Sequence, residues 1–279
     1  MKIQTRARLR GLRRRLKTVG RARGEPIVVY QMGKVGSSTV YRSLRSLGLR
    51  RQVHHVHLLN ELDEIEERVR RRYPDPVGTL AQIEKGRRLR RRVLPNRRTT
   101  WNVISLVRDP VQRNVSAFFE SLTEVIPDVY ERQERDDIAP AELENAFLDR
   151  FDHDAPLSWF QSQLEPVFGI DVFAAPFDTE QGYATYEGPG ARLLVIRLEN
   201  LMEYGQTAIG EFLGLDQFEL VTANIARDKR YANLYSEFER SVTLPVSYLE
   251  RMYESRFARH FYRAAEIEAF EQRWTKAAR

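Results

Sequence analysis

The sequence predicts an α/β fold: a central parallel sheet flanked by helices, with helical insertions and a helical C-terminal region. Three observations carry that expectation. Short apolar runs recur at IVVYQM (27–32), WNVISLV (101–107) and LLVIRL (193–198), continuous rather than alternating, as in strands covered on both faces. An amphipathic helical pattern follows each run. The junctions carry turn and cap chemistry, with glycines after the first run and Asp109-Pro110 after the second.

Taken in order, the first strand leads through YQMGKVGSSTVY to a helix over 37–47, in which Val40, Leu44 and Leu47 share a face and Gly48 supplies the stop. QVHHVHLL (52–59) is a second strand, followed by a charged helix over 62–72. Pro74 and Pro76 interrupt the chain before a helix rich in arginine (Arg87, Arg88, Arg90, Arg91, Arg92), read as a solvated face, that leads to Pro95. The helix opened by Asp109-Pro110 runs to Leu122, and the polar, mixed stretch 127–165 reads as helical insertions. After the last strand, Glu199 caps or orients a helix that Gly214 ends. The C-terminal aromatics Tyr248, Tyr253, Phe257, Phe261, Tyr262, Phe270 and Trp274 form a stripe that reads as core.

The chain has 279 residues, 42% of them hydrophobic, which is enough for a single domain over 25–279. It has no cysteine, which excludes disulfides, thiolate nucleophiles and cysteine-based zinc sites. No apolar run approaches the ~20 residues that span a bilayer. The expected location is cytoplasmic. Ten Lys or Arg and no acid fall in residues 1–24, so the remainder carries a net charge of −4 against +6 for the whole chain. Leu9, Leu12, Leu16 and Val19 lie at helical spacing in this extension. It reads either as a solvated tail or as a basic amphipathic helix in peripheral contact with the inner face of a membrane. Its charge offers nucleic acid only non-specific attraction.

The stretch after the first strand carries the chemistry. Gly33 and Gly36 permit a turn that aims successive backbone N–H groups at one point, and the helix beginning at Ser37 adds the partial positive charge of its N-terminus. The hydroxyls of Ser37, Ser38 and Thr39 and the ammonium of Lys34 complete an oxyanion cradle of P-loop type. In an NTP-hydrolysing loop, GxxxxGK[ST], the lysine follows the second glycine. Here Lys34 precedes Gly36, which argues against an ATPase. Arg108 ends the third strand and Ser116 lies eight residues on, with Arg113 on nearly the same helix face. A guanidinium with a hydroxyl suits a phosphate monoester.

Lys34-Val35-Gly36-Ser37-Ser38 resembles the Lys-Ser-Gly-Thr-Thr loop of sulfotransferases, and the Arg108…Ser116 pair resembles their strand-end Arg and Ser. The resemblance implies that residues 33–39 hold the 5′-phosphosulfate of 3′-phosphoadenosine 5′-phosphosulfate (PAPS), and that Arg108 and Ser116 hold its 3′-phosphate; Arg113, by its place on the same helix face, is expected to join them. Segments 171–183, 193–201, 227–238 and 256–270 resemble the bacterial capsular polysaccharide synthesis branch of that superfamily, whose signature runs Lys-Trp-Tyr-Ser. In this chain Lys229-Arg230-Tyr231-Ala232 stands in its place. Lys229 and Arg230 then correspond to a late basic loop over the nucleotide, and the acceptor is a hydroxyl of a glycan or glycolipid.

Sulfuryl transfer needs a base for that hydroxyl. In the strand VHHVHLL, His55 and His57 share a face and His54 points away, with His57 nearer the carboxyl end where ligands bind in open parallel sheets. Sulfotransferases take a histidine from this strand, and the His-x-His pair resembles that of uronyl 2-O-sulfotransferases. His57 is the expected base, with His55 as supporting donor or alternative. Lys34 neutralises the leaving phosphate. His54, His153 and His260 read as structural, and Glu61 and Glu64 as a solvated helix face. No metal is expected. The product would be adenosine 3′,5′-bisphosphate. Two other readings stay open: a kinase-like phosphotransferase with a divergent loop, and a non-catalytic protein associated with membrane or nucleic acid.

Overall fold

The structure, a computed structural model, describes residues 25–93, 100–221 and 229–275. The basic N-terminal extension and the end of the arginine-rich segment lie outside these residues. Five strands form one sheet: β1 (Ile27–Tyr30), β2 (Val53–Val56), β3 (Trp101–Val107), β4 (Tyr183–Gly188) and β5 (Ala191–Arg197), in the order β2-β1-β3-β5-β4. All pairs are parallel except β4 with β5. The expected mixed α/β fold is present. β1 and β3 are buried along their whole length, as their unbroken apolar runs require.

The sequence reading overlooked β4. It pairs with β5 across the turn Gly188-Pro189-Gly190 and leaves side chains exposed along one edge, so it lacks the apolar run that marks the other strands. β2 is also shorter than expected, and His57 lies just past its end.

Helices α1 (Ser37–Ser46), α2 (Leu62–Arg72), α3 (Val77–Val93) and α4 (Pro110–Glu120) follow the first three strands. Short helices fill 122–168, and α5 (Leu201–Leu213) follows β5. The C-terminal region is helical: α6 (Ala232–Ser241), α7 (Val246–Tyr253), α8 (Arg256–Phe261) and α9 (Ala264–Trp274). Apolar side chains of α1, α5 and α8 join the strands in one core, while α4, α6, α7 and the short helices enclose a second. Of the C-terminal aromatics all are buried but Phe270, which packs against both cores.

Two cap expectations are met. Asp109 Oδ1 accepts from Val111 N–H at 2.9 Å and Gln112 N–H at 3.3 Å, and Gly214 stops α5 at φ 61°. Glu199 differs. Its carboxylate accepts from Asp109 N–H at 2.9 Å and Tyr262 O–H at 3.2 Å, so it ties β3 to the end of α8 rather than capping α5. Arg87 joins α3 to α2 through Asp63 (2.5 Å) and Glu66 (2.6 Å), so that face is only partly solvated.

The chain passes from β1 to β2 on one side and reaches β3 on the other. The β1–α1 loop therefore sits where the winding of the sheet reverses, the usual ligand crevice of open α/β sheets.

Candidate active site

A cavity of about 1200 Å³ opens at the carboxyl ends of the parallel strands. Gly33, Lys34, Gly36, Ser37, Ser38, Thr39, His55, His57, Arg108, Arg113, Ser116 and Lys229 all line it. Segments more than 190 residues apart in sequence thus converge on one space.

Gly33 (φ 80°), Lys34 (φ 60°) and Gly36 (φ 82°) all take the left-handed conformation. Such geometry costs a side-chain-bearing residue such as Lys34 roughly 1–2 kcal/mol, and strain of this kind gathers where a backbone must present groups to a ligand. Gly36 is doubly required, because a Cβ there would stand 2.4 Å from Leu198 Cδ1. Gly36 also caps α1 without a side-chain hydrogen bond. The first N–H groups of the helix are therefore left for a bound anion. Val35 turns its side chain into the core, so only its backbone belongs to the turn.

Two arginines, Arg108 after β3 and Arg113 in the first turn of α4, hold the loop from behind. Arg113 Nη2 donates to Met32 C=O at 2.8 Å and its Nε to Gly33 C=O at 3.3 Å, while Arg108 Nη1 donates to Lys34 C=O at 3.3 Å. Three consecutive carbonyls are turned away from the space the N–H groups face. Arg113, expected to bind phosphate, is buried and spends its donors on these carbonyls and Asn114 Oδ1, so in this structure it braces the loop. Its burial pushes it down to about 10. Arg108 is half-buried and has no acidic partner among the described residues. Ser116, on the cavity wall, has no hydrogen-bond partner there either.

Glu120, which the sequence reading did not single out, lies one turn beyond Ser116. Its Oε2 is 3.0 Å from Lys34 Nζ and accepts from Tyr231 O–H at 2.8 Å, and its Oε1 is 3.5 Å from Lys229 Nζ. Burial lowers the Lys34 pKa, and Glu120 opposes that shift. Lys229 and Tyr231 therefore point inward, whereas Arg230 pairs with Glu134 at 3.0 Å and lies over the Tyr130 ring at 4.2 Å. Arg230, expected beside the nucleotide, does not line this cavity: in the turn 229–231 its side chain is held outward by Glu134 and Tyr130.

The histidines meet a second unforeseen residue, Gln31, fully buried just past the end of β1. Its side-chain Nε2 position lies 2.5 Å from Ser37 Oγ, 3.2 Å from His55 Nε2 and 3.1 Å from His57 Nδ1. Ser37 Oγ is also 3.0 Å from His55 Nε2. The Ser37 hydroxyl, expected to face an oxyanion, is thus engaged inward, leaving its N–H for that role. His57 Nδ1 lies 3.1 Å from Gln31 C=O, and its own C=O accepts from Trp159 Nε1–H at 2.9 Å. Burial pushes His57 down to about 4 and His55 down to about 3, with neighbouring positive charge from Lys85 adding to both. Both imidazoles are neutral at pH 7.

His54 reaches outward to Gln52, and His153 is buried between Phe147 C=O (2.7 Å) and Tyr248 O–H (3.0 Å), as structural histidines should be. Glu61 lines the cavity at φ 50°, contrary to its reading as plain helix surface, while Glu64 remains exposed on α2.

The fold and cavity define a mixed α/β protein with a ligand crevice at its sheet reversal. The family model described as "Putative capsular polysaccharide synthesis protein" matches residues 143–263, from the short helices through β4 and β5 to α8. The family's name points to polysaccharide biosynthesis. The match covers Lys229 and Tyr231 but neither the β1–α1 loop nor Arg108 and Ser116. No curated protein and no solved structure matches the chain.

Proposed function

We propose that the chain is a PAPS-dependent sulfotransferase that acts on a hydroxyl of a carbohydrate or glycolipid. The observation that carries this reading is the convergence of two strand-end turns on one cavity. An anion-cradling backbone lies after β1, and an arginine with no acidic partner among the described residues lies with a serine after β3, while a neutral histidine stands on the wall between them. A nucleotide phosphorylated at both ends suits two separated cationic sites. The chain's match to a polysaccharide synthesis family supports a glycan acceptor.

The residues fit the donor. The α1 N-terminus offers uncapped N–H groups, Lys34 stands beside them, and Arg108 with Ser116 offers a bidentate cation and a hydroxyl. When bound, PAPS supplies an activated sulfuryl group on a phosphate leaving group. His57 takes the acceptor's hydroxyl proton as the oxygen forms its bond to sulfur and the sulfur–phosphate oxygen bond breaks. Lys34 stabilises the charge that collects on the departing phosphate. An imidazole near pH 4 is a weak base, but its depression comes from burial and from cations that a bound polyanion would offset, which raises it toward working pH. Lys34 reaches such an anion only by sharing or leaving Glu120, so the carboxylate sets how tightly the site holds its product.

Calorimetry tests the reading. Adenosine 3′,5′-bisphosphate should bind, and removing its 3′-phosphate should cost most of the affinity. A kinase-like protein would be indifferent to that phosphate. Labelled PAPS with a panel of desulfated glycans and lipid-linked sugars then reads transfer directly.

A further inference from the structure

Gln31 has no counterpart among the residues expected from the sequence, yet it touches His57, His55 and Ser37 together. Its backbone carbonyl lies 3.1 Å from His57 Nδ1, so that nitrogen carries the proton. An amide NH₂ at 3.1 Å from the same Nδ1–H would set donor against donor. An amide oxygen in that place accepts instead. It also suits the 2.5 Å approach of Ser37 Oγ, a length at home in O–H···O but short for N–H···O, while His55 Nε2–H donates to Ser37 Oγ at 3.0 Å. Placed at the far terminus of the amide, the oxygen would be buried with no donor in reach.

We infer that Gln31 is the positioning residue of this centre: its backbone carbonyl and its side-chain oxygen together hold the Nδ1 proton of His57, which leaves Nε2 as the nitrogen that takes the acceptor's proton. This rests on the reading of the site as a sulfuryl-transfer centre. Gln31 does with a neutral amide what a carboxylate does in many catalytic dyads. It orients the ring and fixes the tautomer without adding negative charge. Through Ser37 it also joins the base to the first residue of α1, where the donor's anion would sit.

The choice of an amide has a consequence for charge. The charged groups that act on His57 are Lys34 from the loop, Lys85 from α3 and Arg113 from α4, all positive, with His55 beside it on β2. Among the described residues no carboxylate acts directly on the imidazole, and the nearest acid, Glu120, is paired with Lys34, so the ring stays neutral well below pH 7. A carboxylate in place of the amide would favour the imidazolium and bring the His57 titration up toward neutral pH.

Histidine-labelled full-length protein followed by NMR through a pH titration tests this. In the wild type, His57 should show the Nδ1–H tautomer and titrate near pH 4. Gln31→Glu should move that midpoint upward by about two pH units, the effect of an opposite charge at contact distance. An unmoved midpoint overturns the inference. Gln31→Met preserves volume where the buried carboxylate prevents folding, and it should populate the Nε2–H form at least several-fold more than wild type. An unchanged tautomer ratio likewise overturns it. Turnover of Gln31→Met should fall about tenfold or more while affinity for adenosine 3′,5′-bisphosphate is kept. If the wild type fails to bind that nucleotide, the proposed function falls, while the tautomer measurement still decides the role of Gln31.

Discussion

The two halves of the sheet treat buried titratable groups in opposite ways. At the ends of β1 and β2, His55 and His57 are held neutral by burial and neighbouring cations. At the ends of β3 and β5, Asp109 is raised to about 6 and Glu199 is raised as well, each by burial first. Tyr253 O–H reaches Asp109 at 3.0 Å and Tyr262 O–H reaches Glu199. One half suppresses positive charge and the other suppresses negative charge. Beside the β1–α1 loop the cavity is lined by Lys34, Arg108, Lys229 and the Glu120 between the two lysines. The difference shows how burial can suppress charge of opposite sign on the two sides of one cavity.

The largest way to break this division is on the neutral side. His57→Ala should lower turnover by about 10²–10⁴ while leaving adenosine 3′,5′-bisphosphate affinity intact, read by steady-state kinetics and calorimetry. Lost affinity with turnover retained would make His57 a binding residue. On the other side, Arg108→Ala should weaken nucleotide binding by about 1.5–3 kcal/mol, the worth of a charged hydrogen bond. Folding stability should fall by no more than about 1 kcal/mol, the worth of its one hydrogen bond to Lys34 C=O. An affinity within twofold of wild type refutes the anion role of Arg108.

The pH dependence sharpens the comparison. His55 and His57, depressed from 6.5 to about 3 and about 4, contribute stability that is complete above pH 6.5 and is lost as pH falls through those values. Asp109, raised from 3.8 to about 6, contributes stability that is complete below pH 3.8 and is lost as pH rises through 6. The two trends oppose each other between pH 4 and 6. Asp109→Asn keeps the cap and removes one trend, so urea titrations should show stability climbing more steeply with pH, by about 1.4 kcal/mol per unit. The smallest effect belongs to Glu120→Gln. Freeing Lys34 and Lys229 from a half-exposed carboxylate should tighten product binding only a few-fold, and weakened binding would mean that Glu120 holds the late loop in place.

Local chemistry made much of this readable in advance. Strand runs, the Asp109-Pro110 cap, the Gly214 stop and the glycines of the anion turn each rest on residues within a few positions of one another. What escaped notice depends on distant partners. Arg113 braces carbonyls some 80 positions earlier, Tyr231 and Lys229 meet Glu120 across more than 100, and Gln31 gains meaning only beside β2. A glutamine at the end of an apolar strand has no periodicity to reveal it. The edge strand β4 was missed for a related reason: its identity comes from pairing with β5, not from its own polar sequence.

Because Arg113 and Arg108 grip Met32, Gly33 and Lys34 by their carbonyls, the entropy of shaping the β1–α1 turn is lost when the chain folds, not when a ligand arrives. A receptor prepared in this way has little left to rearrange. Its loop amides should exchange with solvent deuterium at nearly the same rate empty and filled, apart from those the anion covers.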